Sequence, residues 1–151
     1  MLTALYTPGH APDHFCFFDE ERREVFSGDL LRMGGTVVVP GSRGGDLRAY
    51  LRSLDRIREL EPRRLWPGHG PAVESPQTLI AEYVAHRETR EAQIVAALGK
   101  GPATPSDIAR TVYGFSPPAL LAAAEDSVLA HLKKLLDEGR VQLVEDRWRL
   151  T

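Results

Sequence analysis

The chain has 151 residues, 42% of them hydrophobic and 26% charged, and its 19 basic and 21 acidic side chains give a formal net charge of −2. These values predict an ordinary globular protein of one or two small domains. They argue against a strongly basic nucleic-acid binder, although a local basic patch stays possible.

Two further features bear on the compartment. No apolar run approaches the ~18 residues that a membrane-spanning helix needs, and the first residues do not resemble a secretory signal. The single cysteine, Cys16, cannot form an internal disulfide, which fits a reducing environment. We therefore expect a cytoplasmic protein that does not act at a membrane.

Short strands and turns are predicted over residues 1–40. Alternating or β-branched runs bounded by turn residues indicate strands, and they fall at 3–6, 14–18, 24–26 and 36–39. The charged segment 19–23 separates two of these runs, which predicts a hairpin.

Two helices follow a glycine-rich loop at residues 41–45. The loop lacks the Gly-Lys-Ser/Thr ending of a nucleotide-binding loop, so we interpret it as a connection or an active-site rim. Asp46 is a plausible N-cap for an amphipathic helix that carries apolar residues at helical spacing: Leu47, Leu51, Leu54, Ile57 and Leu60. After a short strand at 65–66, Ser75 and Pro76 predict the start of a long helix that ends near Gly99.

The pattern changes after residue 98. Thr104 and Asp107 form a capping-box arrangement that opens a short helix ending at Gly114. Ser116 is then predicted to cap a longer helix, which carries His131 on its surface and ends at Gly139. Alternation over 141–150 predicts a β-hairpin.

Helix, helix and hairpin, together with the end of the preceding long helix, predict a winged-helix domain. The predicted domains are therefore 1–98 and 99–151. From Gly99 onward, seven basic and seven acidic residues balance. Arg147 and Arg149 share one face of the last strand, opposite Trp148. Nucleic-acid binding by this domain and a role in packing or dimerisation both stay open.

Three residues stand in turns directly after predicted strands, each beside a glycine: His10, Asp29 and His69. Imidazole nitrogen and carboxylate oxygen are the usual non-sulfur ligands of zinc, and one carboxylate can bridge two metal ions. A single loop histidine is more often solvated or structural, and an aspartate after a strand more often forms a turn. Their joint occurrence favours a metal site.

The motifs TPGH at 7–10, FSGD at 26–29 and WPGHG at 66–70 resemble the last three metal motifs of the metallo-β-lactamase superfamily. With the winged helix, the chain is similar to the branch that includes β-lactamase-like protein 2 and single-strand-specific endoribonucleases. The resemblance implies an α/β fold with half of an αββα sandwich. It also implies a dinuclear zinc hydrolase in which His10 is the third ligand of the first metal, Asp29 bridges both metals with a hydroxide, and His69 is the last ligand of the second.

The same resemblance does not fix the substrate, which is expected to be a small molecule or RNA. Cleavage of RNA phosphodiesters is the closest analogy, and thioester hydrolysis is the next. No catalytic residue is assigned beyond the metal ligands. His14 is a candidate for orienting His10 or a metal-bound water, or is simply a partly buried histidine.

The superfamily's most diagnostic motif, His-x-His-x-Asp-His, is not present in the sequence, so four of the usual seven ligands are missing. We expect a truncated product, a separate chain that supplies the N-terminal half, or a lost metal site. The isolated chain should then bind zinc weakly and be inactive as a hydrolase. The alternative is an inactive fragment or a winged-helix module for interaction or nucleic-acid binding.

Half a sandwich also leaves one sheet face uncovered. We expect some of Phe15, Phe17, Val37 and Val39 to meet water there. Because large exposed apolar patches mark interaction surfaces, we expect a homo-oligomer or a complementing partner, with an interface formed by the 15–18 or 36–39 strands.

Overall fold

The computed structural model of the chain describes residues 1–114 and 117–151. Its elements in chain order are β1 (Leu2–Tyr6), β2 (Phe15–Asp19), β3 (Glu24–Gly28), α1 (Leu47–Glu59), β4 (Arg64–Pro67), α2 (Pro76–Leu98), α3 (Pro105–Tyr113), α4 (Pro118–Asp137), β5 (Val141–Val144) and β6 (Arg147–Leu150). The predicted mixed α/β half-sandwich followed by a winged helix is confirmed.

The first four strands form one sheet in the order β1-β2-β3-β4. The β1–β2 and β2–β3 pairs are antiparallel, whereas β3 and β4 are parallel. A parallel pair needs a crossover connection, and α1 supplies it. Consequently β1, β3 and β4 all run in the same direction, and their carboxyl ends lie at the same edge of the sheet.

Among the residues that the structure describes, helices cover only one face of this sheet. Alternate residues of the strands point into the core and contact α1 and α2, among them Leu5, Cys16, Val25 and Leu65. The opposite face is apolar and exposed, and we call it the open sheet face: Leu2, Tyr6, Phe15, Phe17, Phe26 and Trp66. The expected exposure of Phe15 and Phe17 is confirmed.

The predicted strand at 36–39 is wrong. This segment forms no regular element, and Val37 and Val39 are 8% and 1% exposed, so they do not belong to the open sheet face. The carbonyl of Val37 accepts a hydrogen bond from the Arg87 side chain, and that of Val38 bonds to His10. These side chains satisfy backbone groups that a sheet ladder would otherwise pair. The segment therefore packs as a buried connection.

Asp46 caps α1 as predicted, because its carboxylate accepts a hydrogen bond from the Ala49 amide at 2.8 Å. Helix α2 begins after Ser75 as predicted, but the Ser75 side chain makes no capping hydrogen bond. The proline at the first turn suits a position whose N–H would have no helical partner.

In the part of the chain that the structure describes, no helix is long and apolar enough to cross a membrane.

The glycine-rich loop 41–45 leads into α1 and packs against α4. The Ser42 amide donates to Asp126 Oδ1 at 2.7 Å, and Lys133 Nζ donates to the Gly41 carbonyl at 2.7 Å. A Cβ on Gly41 would lie 2.5 Å from the Ala130 nitrogen, so only glycine permits this approach. The loop is thus a packed connection, as one of the two interpretations predicted.

The winged helix has the predicted local signals. Thr104 and Asp107 form the capping box, and α3 ends before Gly114. The proposed cap Ser116 lies outside the described residues. Glu145 and Asp146 form the hairpin turn with positive φ.

The core of the winged helix extends beyond the predicted domain boundary. Trp148 is buried and faces this core, whereas its neighbours Arg147 and Arg149 are exposed. Ile94 and Leu98 of α2 pack into the same core, so α2 contributes to both modules. The division at 98/99 stays a prediction.

The prediction of a surface position for His131 is wrong, because its side chain is 1% exposed. It lies on the side of α4 that faces Glu91 of α2, with Nδ1 3.8 Å from Glu91 Oε2. The winged-helix pattern alone does not reveal that α2 covers this side of α4. Burial is the largest influence on the ring and lowers the pKa of His131.

Glu91 on α2 forms ion pairs with two basic residues of the winged helix. Lys134 Nζ and Arg140 Nη1 each donate to its carboxylate at 2.8 Å. Interaction with His131, opposed by burial and reinforced by Lys134 and Arg140, lowers the pKa of Glu91 to about 2. Because 3.8 Å is longer than a hydrogen bond, we attribute more of the effect to the two cations.

This cluster predicts acid sensitivity. A carboxyl whose folded pKa is depressed stabilises the fold above its unfolded value near 4.5, and the stabilisation is lost as pH falls toward 2. Glu91→Gln should lower the free energy of unfolding by about 2 kcal/mol at pH 7 and by much less at pH 3. Urea unfolding at both pH values measures this. Glu88→Gln, an exposed position on the same helix, should change neither; an equal loss in the two variants would contradict the prediction.

Candidate metal centre

The sheet topology brings the predicted ligands to one edge. His10 follows β1, Asp29 follows β3 and His69 follows β4. These strands are mutually parallel in direction, so the three residues lie beyond the same ends of the sheet. His14 stands at the same edge, because it precedes the antiparallel strand β2. Polar side chains at such an edge can converge on a ligand without disturbing the sheet.

Asp29 and His69 form the closest pair of predicted ligands. His69 Nε2 lies 3.6 Å from Asp29 Oδ1, and both side chains are exposed. Two atoms that bind one tetrahedral zinc ion at ordinary bond lengths are about 3.3 Å apart. The observed separation is close to this value, so the pair can hold one metal ion with little movement.

Glycines allow this approach. The Gly68 amide donates to the Gly28 carbonyl at 2.7 Å, which joins the two loops beyond β3 and β4. A Cβ on Gly68 would lie 3.1 Å from Asp29 Oδ1. A Cβ at this position would require the carboxylate to shift by a few tenths of an ångström, so glycine favours the observed position of Asp29.

His10 is oriented by the backbone. Its Nδ1 lies 2.7 Å from the Val38 carbonyl oxygen, which can only accept, so Nδ1 is the donor and, in the neutral ring, Nε2 is the nitrogen with a free lone pair. A ring nitrogen held this way by a carbonyl is the usual support of a metal-binding imidazole. The sequence did not indicate the role of Val38, because that segment was predicted to be a strand.

His14 supports Asp29 rather than His10. Its Nε2 accepts a hydrogen bond from the Asp29 amide at 3.2 Å, while Nδ1 lies 3.1 Å from the Thr7 carbonyl oxygen. These contacts connect the ends of β1 and β2 to the loop after β3. Partial burial is the largest influence and lowers the pKa of His14, which favours the neutral ring that these hydrogen bonds require.

The structure does not bring all three predicted ligands into one cluster. Among residues 1–114 and 117–151, no group of three or more His, Cys, Asp or Glu side chains is placed to hold a metal ion. Asp29 and His69 are paired, and His10 lies at the same edge outside that pair. The assignment of the three as metal ligands stays a prediction.

Sequence reasoning missed one residue near this edge. Arg87 is 4% exposed, and its guanidinium bonds to the segment that also supports His10. A signal was available: on α2 the buried positions Ile80, Tyr83 and Ile94 share a helical face with residue 87. An arginine on a core-facing stripe is unusual and indicates a specific role.

Two family models match the chain. Residues 1–69 match the metallo-beta-lactamase superfamily, and residues 104–148 match the beta-lactamase associated winged helix domain.

Similar curated proteins include a beta-lactamase-like protein 2 homolog of Caenorhabditis elegans, 38% identical over 142 residues. That alignment covers 93% of this chain and 46% of the relative. An atrochrysone carboxyl ACP thioesterase of Aspergillus fumigatus is 32% identical over 128 residues, which cover 77% of this chain and 39% of the relative. The chain therefore spans about half the length, or less, of these relatives.

Among solved structures, a metallo-beta-lactamase family protein of Thermus thermophilus aligns with a TM-score of 0.87 and 29% identity. The alignment covers 99% of this chain and 49% of that one. The likeness therefore extends over the sheet, the helices and the winged helix together.

Proposed function

Residues 1–69 of this chain belong to the metallo-beta-lactamase superfamily and residues 104–148 form the winged helix associated with it, and from this premise we propose that the chain is part of a metal-dependent hydrolase. The observation that carries the proposal is the Asp29–His69 pair beyond the ends of β3 and β4, with His10 at the same sheet edge but outside that pair. Relatives that are about twice as long support the view that the complete site uses donors beyond these three.

The residues present fit part of a zinc site. Asp29 and His69 are separated by a distance that suits one shared ion, and His10 keeps Nε2 available. Tight zinc sites generally use three or four protein ligands. The chain supplies fewer than that for each of two ions, so further donors are required for tight binding.

The chain's own residues hold and orient the reacting region. The Asp29 carboxylate attracts a cation, His10 and His69 provide imidazole nitrogen donors, and His14 fixes the backbone of Asp29. A bound divalent metal supplies a Lewis acid and makes water a better nucleophile near neutral pH. The exposure of Asp29 and His69 leaves the edge accessible to substrate.

For the substrate we favour a thioester, because a relative covering most of the chain is named as an acyl carrier protein thioesterase. An RNA phosphodiester is the second candidate. The observation that favours RNA is the exposed pair Arg147 and Arg149 on β6, with Trp148 buried behind them. Guanidinium groups on such a wing can contact phosphates.

The first test is zinc binding by the isolated chain, measured by calorimetry. We expect weak or substoichiometric binding because the donor set is incomplete. Asp29→Asn and His69→Ala should each weaken it at least tenfold, in line with the loss of a ligand. Asp13→Asn removes an exposed carboxylate nearby and should change the affinity less than twofold. Two tightly bound ions per monomer would contradict the proposed ligand set.

The second test is hydrolysis. The isolated chain should show no appreciable turnover of an acyl thioester or of single-stranded RNA. Co-expression with a sheet-forming half that carries the His-x-His-x-Asp-His motif should produce chelator-sensitive activity, which Asp29→Asn should abolish. Robust chelator-sensitive turnover by the chain alone would show that the ligand set is misread. Activity that survives Asp29→Asn in the complemented protein would contradict the role of Asp29.

A further inference from the structure

A second feature lies between α2, the segment 36–38 and the helices of the winged helix. It is a partly open cleft of about 320 Å³. Its walls include Val38, His86, Arg87, Arg90, Tyr113 and Leu120. No acidic residue lines it among the described residues. The cleft is therefore basic on one side and apolar on the other.

Arg87 carries a charge that its surroundings do not balance. The side chain is 4% exposed, one terminal nitrogen donates to the Val37 carbonyl, and the guanidinium lies 5.5 Å from the centre of the Tyr50 ring. Its Nε has no hydrogen-bond partner. In the described part of the chain no carboxylate forms an ion pair with it. A buried cation of this kind is costly unless an anion accompanies it.

Arg90 places a second guanidinium on the same wall. It stacks on the Tyr113 ring at 4.0 Å and donates to the Gln93 side chain at 2.8 Å. Across residues 1–114 and 117–151 it too lacks a carboxylate partner in an ion pair. Positions three apart on a helix are neighbours, and both guanidinium groups line the same cleft. Stacking on an aromatic ring holds such a group in place while leaving its edge free to donate.

We propose that this cleft binds a phosphate group, with Arg87 and Arg90 as its charge partners. Two unneutralised guanidinium groups match a dianion, and their planar forks donate to phosphate oxygens in pairs. Val38 is one of the residues that line the cleft, and its carbonyl oxygen accepts the hydrogen bond from His10. The proposed phosphate site therefore lies beside the candidate metal edge, and it does not depend on which substrate that edge serves.

The test is direct binding of inorganic phosphate to the whole chain, with a chelator present so that no metal contributes. The Nε–H resonance of Arg87 in ¹⁵N-arginine-labelled protein reports occupancy. It should shift on titration with phosphate. Arg90→Gln should weaken binding about tenfold, because it removes one charge-assisted partner. Arg90→Lys keeps the charge and should restore part of the affinity.

A matched control separates this site from general attraction of anions. Arg52 is exposed on α1, and Arg52→Gln should change phosphate affinity less than twofold. Absence of any Arg87 Nε–H shift, or equal weakening by the two glutamine variants, would overturn the proposal. Acetate binding as tightly as phosphate would overturn the assignment to phosphate. Because no metal or turnover is involved, this result is independent of the zinc and hydrolysis tests.

Discussion

At low micromolar concentration the isolated chain is expected to behave as a dimer or higher oligomer, with the open sheet face at the interface. Its side chains form continuous rows across the strands, because Phe17 is paired with Phe26, and Phe26 with Trp66. At the edge that carries the candidate metal residues, Tyr6 and Phe15 are also paired, with ring centroids 5.2 Å apart. Such a contiguous aromatic surface is typical of an interaction site.

The free energy gained by burying the open sheet face favours association. At roughly 25 cal/mol per Å² of apolar surface, burying a few hundred Å² contributes on the order of 10 kcal/mol. This is comparable to the whole stability of a small domain, about 5–15 kcal/mol. Loss of translational freedom and side-chain ordering opposes association. A dissociation constant of about 1 μM requires a net free energy of about 8 kcal/mol, so the prediction requires that both copies bury most of the open sheet face.

Light scattering and sedimentation of the wild type and a Phe17→Ser, Phe26→Ser double variant test this expectation. Both rings already meet water in the monomer, at 46% and 44% exposure, so the substitutions should favour the monomer without unfolding it. Leu143→Ser removes a similarly exposed side chain, 51%, from β5 and should leave the oligomer intact. A wild-type monomer, or dissociation by the control variant as well, would contradict the assignment of the interface.

A complementing sheet should compete with self-association. If a separately expressed half supplies a second apolar sheet, it should convert the oligomer into a heterodimer. The double variant should bind that half more weakly, because both partners use the same aromatic rows. Retention of the homo-oligomer in the presence of excess complementing half would indicate that a different surface mediates association.

The strands and helices followed from local signals in the sequence, because capping residues and hydrophobic periodicity act within a few residues. Asp46 and the Thr104–Asp107 box illustrate this, since each forms the predicted contact. Residues 36–39 show where local sequence signals fail to predict the structure. A β-branched run has the same appearance in a strand and in a buried connection, and the difference depends on Arg87 and His10, which are distant in sequence.

The candidate metal edge was partly predictable for a similar reason. The turns after β1, β3 and β4 were recognisable from their glycines, and their position at one edge follows once the sheet order and the strand directions are known. The burial of His131 and the unbalanced charge of Arg87 were not predicted. Both depend on how α2 packs against two modules at once, which no single helix pattern specifies.

Gly9→Ala is expected to destabilise the chain strongly and to displace His10. A Cβ at Gly9 would lie 2.3 Å from the Tyr50 Cα, a backbone atom of α1 that cannot move aside locally. The Gly9 carbonyl also accepts from the Asp46 amide at 2.9 Å, so the loop is fixed on the helix. We expect the free energy of unfolding to fall by about 4 kcal/mol, because an alanine at this position would combine backbone strain at φ +140° with overpacking against α1.

Gly101→Ala separates the two causes. Gly101 has nearly the same φ, +137°, but an added Cβ would meet nothing within 4 Å. Gly101→Ala should therefore lower the free energy of unfolding only by the strain component, about 1–2 kcal/mol. Urea unfolding gives both values, and the difference between them measures how tightly the His10 loop packs on α1. Equal losses would show that the contact with Tyr50 relaxes. Because the loop orients His10, only Gly9→Ala should also weaken zinc binding, which is measurable under conditions where both variants remain folded.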